Sequence, residues 1–142
     1  MKPDEGRLQT AEHVLLAILK QEHGVKAGVS KFYADRGTLE VHTDKDMKLL
    51  DTDELARKVD EVALRDLPVK RTPMPRAQAA KLVDLGRIPQ DAKEVTVVDI
   101  VGFYAAACRD PHVARTSEIG KFFIIGVERA GKDRYRFEFS VG

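Results

Sequence analysis

Apolar side chains at Leu8, Ala11, Leu15 and Ile18 recur along one helix face, which predicts a helix from about Pro3 or Arg7 to His23, stopped by Gly24. Gln9 and His13 lie four apart and share a face of that helix. Residues 29–33 and 38–43 flank Asp35-Arg36-Gly37, a turn-forming sequence, and predict a β-hairpin with Leu39 and Val41 pointing inward. Asp51 and Glu54 make a capping-box-like start for a second helix, whose Leu55, Val59, Val62 and Ala63 follow at helical spacing and which ends before Pro68. Residues 75–85 predict a short third helix with Pro75 in its first turn, reached through a loop at Thr72-Pro73.

The second half of the chain has a different period. Residues 95–101 are a β-branched run suited to a largely buried strand. Residues 121–127 form a further strand, joined through Ala130-Gly131-Lys132-Asp133 to a last one in which Tyr135, Phe137, Phe139 and Val141 alternate strictly with Arg136, Glu138 and Ser140. Helices and strands do not alternate regularly, so the pattern predicts an α+β fold, a single domain over residues 1–142 with a mainly antiparallel sheet packed with helices.

Composition adds limits. At 142 residues, 43% hydrophobic and 33% charged, the chain is of ordinary globular make-up and long enough to bury a core without metal or disulfide support. A net charge of +1 argues against a nucleic-acid coat or a polybasic membrane binder. The charge is uneven, however: residues 40–66 carry nine acids and five bases, while residues 68–87 carry Lys70, Arg71, Arg76, Lys81 and Arg87 against Asp84 alone. Such a local basic stretch can meet phosphates, or can simply be a solvated face. One cysteine excludes an internal disulfide, the N-terminus has no signal-peptide core, and no apolar run approaches membrane-spanning length, so a soluble cytoplasmic protein with no membrane partner is expected.

Few residues offer chemistry. His23 at a helix end and His42 near a strand edge read as structural or surface groups. Cys108 and His112 stand four apart in a loop or turn between two predicted strands, with Pro111 restraining the approach to His112; thiolate and imidazole are the ligands zinc favours. A lone cysteine is also commonly a small buried hydrophobe. Phosphate-loop, dinucleotide-binding and nucleophile-elbow motifs are absent, and nothing marks an orienting Asn or Asp for a cysteine-protease arrangement.

Two segments carry a resemblance. Gln9-Thr-Ala-Glu-His13-Val-Leu-Leu resembles the His-Thr-Ala-x-His-Leu-Leu helix of the alanyl-tRNA synthetase editing domain. Cys108-Arg-Asp-Pro-His112-Val-Ala-Arg-Thr116-Ser-Glu-Ile119-Gly120 resembles that domain's Cys-x-x-x-His-x-x-x-Thr-x-Glu-Ile-Gly segment. The two occur in the expected order and span nearly the whole chain, which is similar to the short free-standing AlaX-type editing proteins and, more distantly, to the threonyl-tRNA synthetase editing domain.

The resemblance implies an editing-domain fold and a zinc-dependent ester hydrolase, acting on a tRNA acceptor end that carries a wrong amino acid, chiefly Ser-tRNA(Ala). It implies His13, Cys108 and His112 as metal-holding and catalytic residues, with Gln9 in place of the family's first histidine. A Gln carbonyl is a poor oxygen donor beside imidazole, so weaker metal binding is expected. Ser30 is expected near the pocket hydroxyl, and Thr116, Gly120 and the main chain of residues 117–120 near the terminal nucleotide or the developing oxyanion. Two other functions stay open: a non-catalytic tRNA-acceptor-binding module with a degenerate metal site, and an editing hydrolase for mischarged tRNA(Thr).

Overall fold

The computed structural model describes residues 4–142, so the helix start considered at Pro3 lies outside the described residues. Helix α1 (Glu5–His23) ends at Gly24, whose φ of 64° is the left-handed cap that glycine adopts without strain and whose N–H returns to the Lys20 carbonyl. The single apolar stripe read from sequence proves too narrow. All of residues 8–19 are buried, because α1 touches α2 (Thr52–Leu64), β1 (Lys26–Phe32), β2 (Gly37–His42) and β7 (Arg134–Val141), and also β5 (Tyr104–Ala107). It is a central helix, not a surface one.

One sheet has the order β1-β2-β7-β6, where β6 is Phe122–Gly131; a second has the order β3-β4-β5, where β3 is Val69–Pro75 and β4 is Glu94–Ile100. Every pairing between strands is antiparallel, which gives the α+β class expected from the pattern. Leu39 and Val41 are fully buried with Phe122, Phe137 and Phe139 against α1 and α2. Asp51 caps α2 by accepting from the Glu54 N–H at 3.1 Å. Among the described residues no helix is long and apolar enough to cross a membrane.

Three expectations change in the middle of the chain. Thr72-Pro73 is not a loop: both lie in β3, opposite Val97 and Thr96, and β3 is an edge strand, where a residue lacking an N–H is tolerated. The third helix shrinks to one turn, α3 (Arg76–Ala79). Only Ala79 of it is buried and Leu82 beyond it is 62% exposed, so no apolar face sustains further turns; an Asp84 side chain accepting from the Gly86 N–H redirects the chain. Strand β5 was not expected, since Tyr-Ala-Ala-Ala shows no alternation; β4 imposes it, with Val97 opposite Ala107 and Ile100 opposite Tyr104.

Candidate functional site

The two sheets and α1 converge on the chemistry. Buried α1 holds His13, which is 5% exposed. Cys108 follows directly from β5, its N–H extending the ladder to the Thr96 carbonyl at 3.0 Å. His112 comes back against the start of α1, where a Cβ on Gly6 would lie 3.4 Å from the His112 carbonyl carbon, in van der Waals contact. The ligating atoms of His13, Cys108 and His112 all lie within 4.8 Å of one another. His112 Nε2 is 3.4 Å from Cys108 Sγ, and the two imidazoles meet edge to face with centroids 4.5 Å apart.

A residue without an assigned role in the sequence reading fixes one ring. Thr10 Oγ1 donates to the Gly6 carbonyl at 2.9 Å, accepts from the Val113 N–H at 3.2 Å and contacts His112 Nδ1 at 2.9 Å. A hydroxyl has one hydrogen, and Gly6 takes it. Nδ1 of His112 is therefore the donor, and its Nε2 lone pair is turned toward Cys108 and His13. On His13 the reverse problem appears: Nδ1 is buried without any hydrogen-bond partner among the described residues, the kind of orphan that asks for an occupant of the site.

Electrostatics favour ligands over acids and bases. Burial, reinforced by the Arg87 and Lys20 cations, lowers His13 to about 3. Burial, with His13 and Arg71 adding to it, lowers His112 to about 3 as well. Burial pushes the Cys108 thiol up to about 11, with Asp110 and Glu12 adding charge repulsion and a backbone hydrogen bond at Asp110 opposing the rise. An imidazole at about 3 is a poor proton acceptor at neutral pH, and a protonated thiol is a poor nucleophile. Neutral imidazoles and one thiol gathered within 4.8 Å are instead a donor set that suits Zn2+.

Two members of the cluster, His13 and Cys108, line a cleft of about 930 Å³ bounded by α1, the start of β1, β5 and the segment that follows α3, with His112 behind them. Glu12, 1% exposed, and Lys20 come from α1, with Arg87, Tyr104 and Asp110 opposite. Arg87 reaches across to Glu12 at 3.5 Å and to Ser30 Oγ at 3.2 Å, while Lys20 donates to the Tyr104 hydroxyl at 2.9 Å. Ser30 follows a bulge in β1, where three steps from Ala27 to Ser30 face two from Val41 to Leu39.

Not every expected residue joins this site. Gln9 is buried one turn before His13 on α1, and Ser30 is tied to the cleft through Arg87. Thr116 and Gly120 do not line the cleft. Thr116 Oγ1 accepts from the Leu67 N–H at 2.8 Å and lies 3.3 and 3.2 Å from the Val62 and Ala63 carbonyls, tying the end of α2 to the Thr116–Ile119 3-10 turn. Gly120 packs beside Arg7 and the Gly142 carbonyl, and Ser117 donates to Asp66. His23 is half-buried at the end of α1 and His42 is exposed at the end of β2.

The basic stretch is largely engaged inside the molecule. Arg76 donates to the Pro89 and Ala92 carbonyls at 2.8 and 3.0 Å, Arg71 to the Arg109 carbonyl at 3.4 Å, and Arg87 to Glu12 and Ser30. The sequence reading missed Thr10, Glu12 and Arg87. For Glu12 a signal was present, since Leu8 and Leu16 lie one turn to either side and place a carboxylate within an apolar row.

Comparison with known proteins places this architecture. The family described as "Threonyl and Alanyl tRNA synthetase second additional domain" matches residues 95–138. An alanine–tRNA ligase of Methanopyrus kandleri is 31% identical over 144 residues, covering 96% of this chain and 15% of the ligase. The alanyl-tRNA editing protein AlaX-M of Saccharolobus solfataricus is 27% identical over 139 residues, covering 95% of this chain and 58% of that protein. The AlaX-L protein of Pyrococcus horikoshii is 24% identical over 139 residues, covering 96% of this chain and 33% of its own length. The chain thus spans between 15% and 58% of these relatives. With both motifs in order and a matching family model over residues 95–138, the chain is similar to the alanyl-tRNA synthetase editing domain and to the AlaX-type editing proteins.

Proposed function

We propose that this chain hydrolyses the ester of mischarged tRNA(Ala), chiefly Ser-tRNA(Ala), acting in trans on the tRNA acceptor end. The observation that carries the reading is the convergence of His13, Cys108 and His112 within 4.8 Å at the wall of a cleft large enough for an aminoacyl ester. The orphaned His13 Nδ1 and the oriented His112 Nε2 fit Zn2+. Held by His13, Cys108 and His112, with Gln9 one helical turn before His13 on α1, Zn2+ would supply Lewis acidity for an ester that is already activated. Thr10 keeps the His112 ring in one tautomer, and α1 holds His13 buried at the inner end of the cleft.

The direct test is release of labelled serine from Ser-tRNA(Ala) and from Ser-tRNA(Thr), alongside release of alanine from Ala-tRNA(Ala). Serine release from the first substrate with alanine retained is expected. No serine above the spontaneous rate, with and without added zinc, would overturn the reading in favour of an acceptor-binding module, a reading favoured by Gln9 standing where the family has a ligand. A faster reaction on Ser-tRNA(Thr) would move the substrate to the threonyl system. Metal analysis gives an independent readout: zinc content should rank Gln9→His above the unaltered protein and the unaltered protein above Cys108→Ala. Equal, negligible zinc in all three sinks the metal assignment.

A further inference from the structure

Glu12 is the least expected charge in the molecule. It is 1% exposed, it sits in a row with Leu8 and Leu16, and a leucine in its place would continue the packing of α1. Burying a carboxylate costs stability unless it is well paired, yet its one partner among the described residues is Arg87, a long contact of 3.5 Å to Oε1. The Arg87 side chain is itself 43% exposed. Oε2 receives no hydrogen bond among the described residues, although a carboxylate can accept several. The group therefore contributes little to the fold that an apolar side chain would not.

Its position gives it another use. Glu12 lines the cleft and directly precedes His13 on α1. Burial pushes its carboxyl above the usual carboxylate range, against the pull of the Arg87 and Lys20 cations. The other charges of the cleft are engaged or exposed: Lys20 donates to Tyr104, Arg87 bridges Glu12 and Ser30, Asp110 is exposed and contacts Cys108, and Lys26, Asp84 and Arg109 are exposed. An aminoacyl ester carries a cation of its own, the α-ammonium, on the carbon next to the carbonyl that is cleaved. A buried carboxyl beside His13 is placed to pair with that cation, which favours its charged form, and so to set the carbonyl against the His13, Cys108 and His112 cluster.

We infer that Glu12 is the binding residue for the α-ammonium of the substrate, with Oε2 accepting from the ammonium while Arg87 holds Oε1; this rests on the ester-hydrolase reading above. Charge-assisted hydrogen bonds in a low-dielectric cleft are strong enough to discriminate by an order of magnitude. A substrate lacking the amine should bind less well even with its hydroxyl intact. Asp110, screened by solvent, should matter less.

The test uses two non-hydrolysable probes, 3′-serylamino-3′-deoxyadenosine and its 3-hydroxypropionyl counterpart, which keeps the hydroxyl and lacks the amine. Calorimetric titration of the unaltered protein should show the serylamino probe bound about tenfold more tightly or better. Glu12→Gln, which keeps shape and loses charge, should reduce that preference to within about twofold, and Asp110→Asn should leave most of it. Equal binding of the two probes by the unaltered protein, or an undiminished preference in Glu12→Gln, overturns the inference. The probe comparison on the unaltered protein stands even where the variant fails to fold. Kinetics separate the two claims: serine release from tRNA without amine preference removes only the Glu12 assignment, amine preference without serine release removes only the hydrolase, and neither binding nor release removes both.

Discussion

The stretch from Cys108 to Gly120 divides into two halves with opposite employment. Its first half delivers Cys108 and His112 to a pocket where they meet His13 and the open cleft. Its second half turns away: Thr116 ties α2 to the 3-10 turn, and Gly120 lets the chain pass between Arg7 and the C-terminal carbonyl. Both halves belong to one motif, so resemblance alone makes them look alike. The difference lies in their partners. Thr116 Oγ1 accepts from the Leu67 N–H and contacts the carbonyls at the end of α2, whereas the first half meets a buried His13 nitrogen that has no hydrogen-bond partner among the described residues. Groups satisfied by the chain hold the fold; groups left unsatisfied by it are available for function.

That contrast is testable by stability, and the second half should give the largest effect. Gly120 has φ 79° and ψ −161°, a region open essentially to glycine, and a Cβ there would lie 2.5 Å from both the Gly142 carbonyl oxygen and Arg7 Nη2. Gly120→Ala should cost about 4 kcal/mol from strain and overlap together. Urea denaturation measures it, and a loss below about 1 kcal/mol would show that the C-terminal residue yields freely.

The first half should make stability depend on pH without metal. His13 and His112 are lowered from 6.5 to about 3 in the folded protein, so between these values the unfolded chain binds protons that the folded one does not. Stability rises with pH across this window and is lost as pH falls through it. For two such groups the loss between pH 7 and pH 5 is on the order of 3 kcal/mol in chelated protein. Denaturation midpoints at the two pH values check this, and an unchanged midpoint would mean that the imidazoles are solvated. At the alkaline end Cys108, raised from 9.0 to about 11, works in the opposite direction: stability falls as pH rises between these values.

Thr116 comes next. Thr116→Val keeps the volume but leaves the Leu67 N–H without its acceptor, and about 2 kcal/mol should be lost. Thr116→Ser should recover most of it. Comparable losses in both variants would attribute the effect to the methyl group and not to the hydrogen bond.

The sequence pattern carried most of the fold where burial is one-sided. The alternation of β7, the inward Leu39 and Val41 and the Asp51 cap all follow from local periodicity and appear as read. It failed where tertiary contact overrides local preference. The all-round burial of α1, the extended Thr72-Pro73 and the alanine strand β5 are each imposed by a neighbour that no short window contains. The site divides similarly. His13, Cys108 and His112 were legible as residue types with metal chemistry, and the fold brings them together. Thr10 and Arg87 act through contacts 102 and 75 residues away along the chain, which spacing cannot reveal.

The smallest stability effect should come from Cys108, the residue most diagnostic of the first half. Its thiol is only half-buried, and its contacts, 3.4 Å to His112 Nε2 and 3.7 Å to Asp110 Oδ2, are weak ones for an S–H donor. Cys108→Ala in chelated protein should therefore change stability by less than about 1 kcal/mol, the modest cost of one small hydrophobe at the edge of the core. The same substitution should abolish the stabilisation that added Zn2+ confers on the unaltered protein, because ligand binding to the folded state raises its midpoint by mass action. A loss near 2 kcal/mol without metal, matching Thr116→Val, would make Cys108 another scaffold residue and erase the distinction between the two halves. A small loss together with a vanished zinc response would fix Cys108 as a group kept for binding and not for folding.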